Sequence, residues 1–309
     1  MRSVHRLQRP VVSGAAASSC AAARAARARF ARTGQLRTAT ITILVVAAAL
    51  VSLGSVAAAR RAEPLKMADA QLLFYNAHYQ ETAALALALR RSGTDTPELS
   101  ELRSSALLFQ LKELLEDGPT RAKASACPTC PALVADFLAE FRHGQDLARS
   151  ALALDARDET ALFLLGKIDL NYVWLQLGPL HKKTGWDEYW EARTSLDEVL
   201  RRNPAHVRAK IARAWIAYIV DTRMPWGTRW VLGGGDRRQA LIDMRAAVQM
   251  DADLFTHAEA EFALWDIEVR EGDMPRATEA ARRLSRAFPE NRKVAAFLDA
   301  RDARLQRQE

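Results

Sequence analysis

A chain of 309 residues with 49% apolar side chains is long enough to bury a large core, and its 14 glycines and 11 prolines are too few for a loop-rich β fold. The formal net charge of +7 favours a nucleic-acid binder only at first sight, because eight of the 44 basic side chains lie in residues 1–59, where no acidic one occurs. Residues 60–309 are therefore near neutral. Since nucleic-acid affinity depends on neutralised phosphates, the sequence predicts no nucleic-acid partner.

The start of the chain predicts a membrane-targeting segment. Residues 1–37 carry all eight arginines and are expected to be a basic, disordered leader, whereas residues 38–59 are 22 uncharged residues with an apolar centre. Such a stretch can span a bilayer as a helix, and arginines upstream favour a cytoplasmic N-terminus. We expect a single-pass signal anchor with an extracytoplasmic (periplasmic) remainder. Ala57-Ala58-Ala59 also fits a cleaved signal peptide and an exported protein. A transit peptide or a misassigned start codon would explain the leader as well.

The remaining residues show the periodicity of amphipathic helices and no alternation long enough for a strand, which predicts an all-α fold. Residues 66–91 are expected to form two short helices that meet near Ala77–His78. A break at Asp117-Gly118-Pro119 ends the helix that follows them. The later predicted segments are a helix at 98–116, a helix at 132–154, long helix pairs at 158–204 and 205–252, a last pair at 255–289 and a closing helix at 291–306.

The two long helix pairs repeat with an offset of 48 residues. Small and apolar residues recur at that offset, which is the signature of a stacked-helix array. The matching positions are Gly166 and Ala214, Ala192 and Ala240, Val199 and Ala247, and Pro204 and Ala252.

The second helix of each unit resembles that of the tetratricopeptide repeat (TPR) family: a small residue, an apolar residue four positions on, another three further, and a proline five after that. The residues that carry this pattern are Ala192, Leu196, Val199 and Pro204; Ala240, Met244 and Ala247, with Ala252 in place of the proline; and Ala277, Ala281, Leu284 and Pro289. Leu165-Gly166 and Gly272-Asp273 also fit the family. The resemblance implies an α-solenoid of antiparallel helix pairs over residues 66–290 with a C-terminal capping helix at 291–309, and it implies protein interaction rather than catalysis. The chain departs from the 34-residue standard by about 14 extra residues in each long unit, which fall between the paired helices.

The extra residues form two tryptophan-rich inserts, at 171–189 and 221–238. Insertions in repeat arrays tend to project on a binding face, and Trp and Arg are common at binding hot spots. The candidate binding residues are Trp174, Trp186, Arg223, Trp226, Arg229 and Trp230. A structural interpretation stays open, in which the aromatic side chains pack the longer hairpins and Gly233-Gly234-Gly235 only turns the chain. That glycine run lacks the residues of a phosphate-binding loop, and Asp236 is expected to cap the next helix.

Cys127-Pro128-Thr129-Cys130 is the other motif with chemical potential. Outside the cytoplasm, a local disulfide is the simplest interpretation. A redox role would need a βαβ context, and a four-cysteine zinc site would need a second pair of cysteines. Since no catalytic or metal-binding constellation is recognisable, we predict no enzyme, no cofactor and no metal.

These patterns predict a non-enzymatic scaffold that binds a protein or peptide partner in a groove. The alternative is an extracytoplasmic small-ligand-binding accessory protein of a solute transporter. An exposed apolar surface would favour the scaffold, whereas an enclosed cavity lined by Trp174, Trp226 and Trp230 would favour the small ligand.

Overall fold

A computed structural model describes residues 66–116 and 127–307, and over these residues the fold is all-α with no strand, as predicted. The predicted leader (1–37) and membrane segment (38–59) lie outside the described residues. Among the helices that are described, none combines the length and the apolar character that crossing a bilayer requires. The helices are α1 (Met67–Tyr75), α2 (Tyr79–Arg91), α3 (Pro97–Glu116), α4 (Cys130–Leu154), α5 (Glu159–Leu177), α6 (Trp186–Arg202), α7 (Val207–Arg223), α8 (Trp226–Val231), α9 (Arg237–Val248), α10 (Leu254–Glu271), α11 (Met274–Ala287) and α12 (Arg292–Leu305).

Helix boundaries follow local signals in the sequence. The predicted junction between the first two helices is confirmed, because Ala77 has a positive φ of 63° and separates α1 from α2. Asp158, Asp253 and Asn291 begin three later helices, and each side chain accepts a hydrogen bond from a backbone N–H of the first turn. Such caps satisfy donors that the helix itself leaves free.

Consecutive helices pack against each other along the chain, and small residues allow the closest approaches. A Cβ atom at Gly166 on α5 would lie 3.0 Å from Leu196 Cγ and 3.1 Å from the carbonyl oxygen of Ala192, both on α6. Ala192 is fully buried, and its counterparts Ala240 and Ala277 on α9 and α11 are buried as well. The small residues of the repeated pattern therefore lie where helices meet.

The first helix also packs against the last ones. The ring of Tyr75 on α1 lies 5.3 to 5.9 Å, centroid to centroid, from those of Phe255, Phe262 and Phe288. Asn291 Nδ2 donates a hydrogen bond to the carbonyl oxygen of Tyr75 at 2.7 Å, and the backbone N–H of Glu290 donates to Asn76 Oδ1 at 3.1 Å. The two ends of the described unit are thus in direct contact.

Ionised side chains connect the helices in between. Arg208 on α7 donates to Glu259 on α10 at 2.5 Å and to Glu101 on α3 at 3.1 Å, and Lys167 on α5 donates to Glu259 at 2.7 Å. Burial by itself would raise the pKa of Glu259, but Arg208 and Lys167 outweigh that effect and hold it at about 2. Glu259 is therefore ionised at neutral pH and fixes α5 and α7 against α10.

Candidate functional site

The two inserts meet at one place in the fold. The first connects α5 to α6 through residues 178–185, and the second connects α7 to α9 and contains α8, a short helix that the sequence analysis does not predict. The hydroxyl of Tyr189 on α6 donates to the carbonyl oxygen of Leu232 at 2.9 Å, and Arg193 donates to the carbonyl oxygens of Leu232 and Gly233. Side chains of α6 therefore fix the segment that follows α8.

The glycine run has a structural role. Gly233 has a φ of +76°, a conformation that side chains other than glycine's rarely adopt, and a Cβ there would collide with Arg193. A Cβ at Gly235 would lie 2.4 Å from the backbone nitrogen of Asp221, so the chain approaches α7 closely at that point. Asp236 then caps α9 by accepting from the N–H of Gln239 at 2.8 Å, as predicted. For this run the structural interpretation applies.

Two of the predicted binding residues are almost fully exposed. Trp226 on α8 retains 88% of its accessible surface and Trp230 retains 85%, while Val231 beside them retains 59%. No residue of α8 is buried. Large apolar side chains that share an exposed helix are unusual on a soluble protein surface and mark interaction sites. We call Trp226, Trp230 and Val231 the aromatic surface.

Two other predicted residues, Trp174 and Trp186, are more covered: Trp174 is partly buried against the core, and Trp186 keeps 45% of its accessible surface. Trp174 and Trp186 line a small apolar cavity of about 30 Å³ together with Met224 and Leu232. This volume is about that of one water molecule and far below the several hundred Å³ of an organic ligand site. Trp226 and Trp230 do not line it. Trp174, Trp226 and Trp230 therefore do not line the shared cavity that would have favoured a small ligand at the inserts.

The two predicted arginines differ in their surroundings. Arg229 donates to Asp221 Oδ1 at 2.8 Å and to the carbonyl oxygen of Met224 at 2.9 Å, so it braces α8 against the end of α7. Arg223 is exposed at the last position of α7. Further exposed cations of the inserts are Lys182, Lys183 and Arg238. Asp187 and Asp236 are exposed as well, so the exposed charges of the inserts are of both signs.

Cys127 and Cys130 are joined by a disulfide, with their Cα atoms 5.4 Å apart. Cys130 is the first residue of α4 and its side chain is fully buried, packed in the same cluster as Phe137 and Phe141. The disulfide thus lies where the chain enters α4.

One buried group of chemical interest was not singled out from the sequence. Asp169 on α5 is fully buried and accepts a hydrogen bond from Gln145 Nε2 at 2.7 Å. Burial raises its pKa to about 8, the bond from Gln145 opposes that rise, and the nearby Glu191 adds to it. Arg149 binds Glu191 at 2.6 Å on the other side. Sequence analysis does not single out Asp169, because its neighbours Gln145 and Glu191 come from other helices and only the fold brings them together.

Within the described part of the chain, no three His, Cys, Asp or Glu side chains are grouped in a way that could hold a metal ion. No model of a known protein family, no curated protein and no solved structure matches this chain.

Proposed function

We propose that this chain is a non-enzymatic scaffold of the TPR type that binds a protein partner through the aromatic surface. The observation that carries the proposal is the exposure of Trp226 and Trp230, at 88% and 85%. A tryptophan side chain buries roughly 150–250 Å² in an interface, which at about 25 cal/mol per Å² contributes roughly 4–6 kcal/mol before the costs of association. Two such residues on one short helix provide a hot spot.

The TPR-like solenoid is the finer part of the proposed fold. Its support is the agreement between the repeated small residues and the helix contacts, as at Gly166, Ala192 and Ala240. In such an array a partner often binds the inner helices. In this chain, Arg208 on α7 already binds α3 and α10, and Glu259 on α10 also binds α5. In addition, α1 packs on α10 through Tyr75. The projecting inserts are therefore the better partner surface.

We place the repeat domain outside the cytoplasm, anchored by residues 38–59 or exported after their cleavage. The arginine-rich leader supports this orientation. The Cys127–Cys130 disulfide supports it too, because disulfides persist in oxidising compartments.

The test is photo-crosslinking in cells that produce the full chain. A photoreactive amino acid replaces Trp226 in one sample and Leu154 in a matched control, because Leu154 is 93% exposed at the end of α4. We expect a discrete protein adduct at position 226 that is absent at 154 and is lost with Trp230→Ala. Equal adducts at both positions, or none at 226, would contradict the proposal, and adducts with lipid alone would point to a membrane surface instead.

The alternative, a small-ligand-binding accessory protein, has a different observation in its favour. A second and larger cavity lies at the N-terminal ends of α5 and α7, away from the aromatic surface, and it is lined by polar as well as apolar side chains.

A further inference from the structure

The second cavity is a site open to solvent with a volume of about 310 Å³, at the lower end of the range of small-molecule sites. It lies where the first turns of α3, α5, α7 and α10 converge, and residues from all four helices line it. Its lining is mixed. Two basic or donor side chains, two carboxylates and an apolar wall face the same space.

The donor side consists of Arg208 and His206. Arg208 uses Nε and Nη2 for Glu259 and Glu101, which leaves the Nη1 edge outside those two bonds, and its side chain keeps 25% exposure. The guanidinium is also held 4.7 Å above the ring of Phe163. Arg208 is therefore a fixed cation with donors to spare.

His206 is a neutral donor at the same cavity. Its Nδ1 accepts the backbone N–H of Ala209 at 3.1 Å, and because a backbone N–H can only donate, the ring proton lies on Nε2. Burial lowers the pKa of His206, and Glu159 only partly offsets this effect. The imidazole is therefore uncharged at pH 7, with Nε2–H available.

The acceptor side consists of Glu98 on α3 and Asp251 in the turn before α10. The ion pairs of Arg208 are with Glu101 and Glu259, so neither Glu98 nor Asp251 is its partner; Glu98 is half-buried and Asp251 is exposed. Leu164 and Val207 form part of the wall that these polar groups share. A ligand that carries only a negative charge would be repelled by the two carboxylates, and one that carries only a positive charge would be repelled by Arg208.

We propose that this cavity binds a free α-amino acid with an apolar side chain. Arg208 and His206 donate to its carboxylate, Glu98 and Asp251 accept from its ammonium group, and its side chain lies against Leu164 and Val207. A zwitterion satisfies both halves of the lining at once, and charge-assisted hydrogen bonds of this kind are the stronger class.

The test is isothermal titration calorimetry of the full chain in detergent with three probes of one carbon skeleton: L-leucine, 4-methylpentanoate, which lacks the ammonium group, and 3-methylbutylamine, which lacks the carboxylate. We expect L-leucine to bind and each truncated probe to bind at least about tenfold more weakly, because each lacks one of the two charged groups that the lining would pair with. No heat with L-leucine, or equal affinity for a truncated probe, would overturn the proposal.

Three variants separate ligand contact from stability. Glu98 and Glu81 both lie in the first turn of a helix, but only Glu98 lines the cavity. Glu98→Gln is expected to weaken L-leucine binding about tenfold or more, whereas Glu81→Gln leaves it unchanged. His206→Asn keeps a side-chain acceptor for the N–H of Ala209 and removes the Nε2 donor, so it is expected to weaken L-leucine and 4-methylpentanoate alike. Equal affinities in all three variants and the wild type would overturn the assignment.

This site is independent of the proposed partner binding, and it names a ligand class for the small-ligand alternative. Trp226→Ala changes the aromatic surface, and Trp226 is not one of the residues that line the cavity. It is expected to leave L-leucine binding intact, so a failure of the partner proposal and a failure of the amino-acid site give different results.

Discussion

The repeated small residues make the sharpest stability prediction. Ala192 and Ala240 retain 0% and 1% of their accessible surface, and beside Ala192 even a Cβ at Gly166 would have only 3.0 Å to the nearest side-chain atom. Leucine adds three carbon atoms to such a position without room for them. We expect Ala192→Leu and Ala240→Leu each to lower the free energy of unfolding by about 1–3 kcal/mol, the usual cost of overpacking.

The control for this prediction lies on the same helix as Ala240. Ala246 is exposed on α9, so Ala246→Leu makes the same chemical change and is expected to alter stability by less than about 0.5 kcal/mol. Urea unfolding of the full chain, followed by circular dichroism at constant m-value, measures all three. If Ala192→Leu or Ala240→Leu were as stable as the wild type, the assigned helix register would be wrong.

Two further predictions concern buried groups. The pKa of Asp169 is raised from 3.8 in the unfolded chain to about 8 in the folded protein, so its ionisation destabilises the fold increasingly as the pH rises from about 4 to 8. Asp169→Asn is therefore expected to raise the free energy of unfolding by more than about 1 kcal/mol at pH 8 and to have little effect at pH 4. An equal effect at both pH values would refute the shifted pKa. The double variant Cys127→Ser/Cys130→Ser is expected to lose about 2 kcal/mol of stability, because the disulfide closes only the short loop between residues 127 and 130. It is expected to keep the crosslink at position 226. A stable protein without that crosslink would favour a redox role for the two cysteines.

Much of the helical fold could be predicted because its signals are local. Asp236 as a cap and Ala77 as a junction depend on a few neighbouring residues and the spacing of apolar side chains. The contact of Arg208 with Glu101 joins residues 107 positions apart, and no local pattern indicates it. The polar cavity likewise brings together residues as far apart as Glu98 and Thr256 and was not predicted for the same reason.

The inserts show the limit of the sequence analysis most clearly. Trp174 and Trp226 occupy equivalent, tryptophan-rich inserts, yet the first is partly buried against the core and the second is 88% exposed. The difference arises because the second insert forms α8, none of whose residues is buried, and Arg229 fixes this helix to the end of α7. Composition alone does not distinguish these outcomes.

The central claim is that the aromatic surface binds a protein partner, and the affinity of the partner captured at position 226 tests it most directly. The comparison uses the purified full chain, the double variant Trp226→Ala/Trp230→Ala, and Leu154→Ala, which removes an exposed apolar side chain elsewhere. A hot-spot pair predicts at least about a hundredfold higher Kd for the double variant and no change for Leu154→Ala. A double variant that binds as tightly as the wild type would contradict the account.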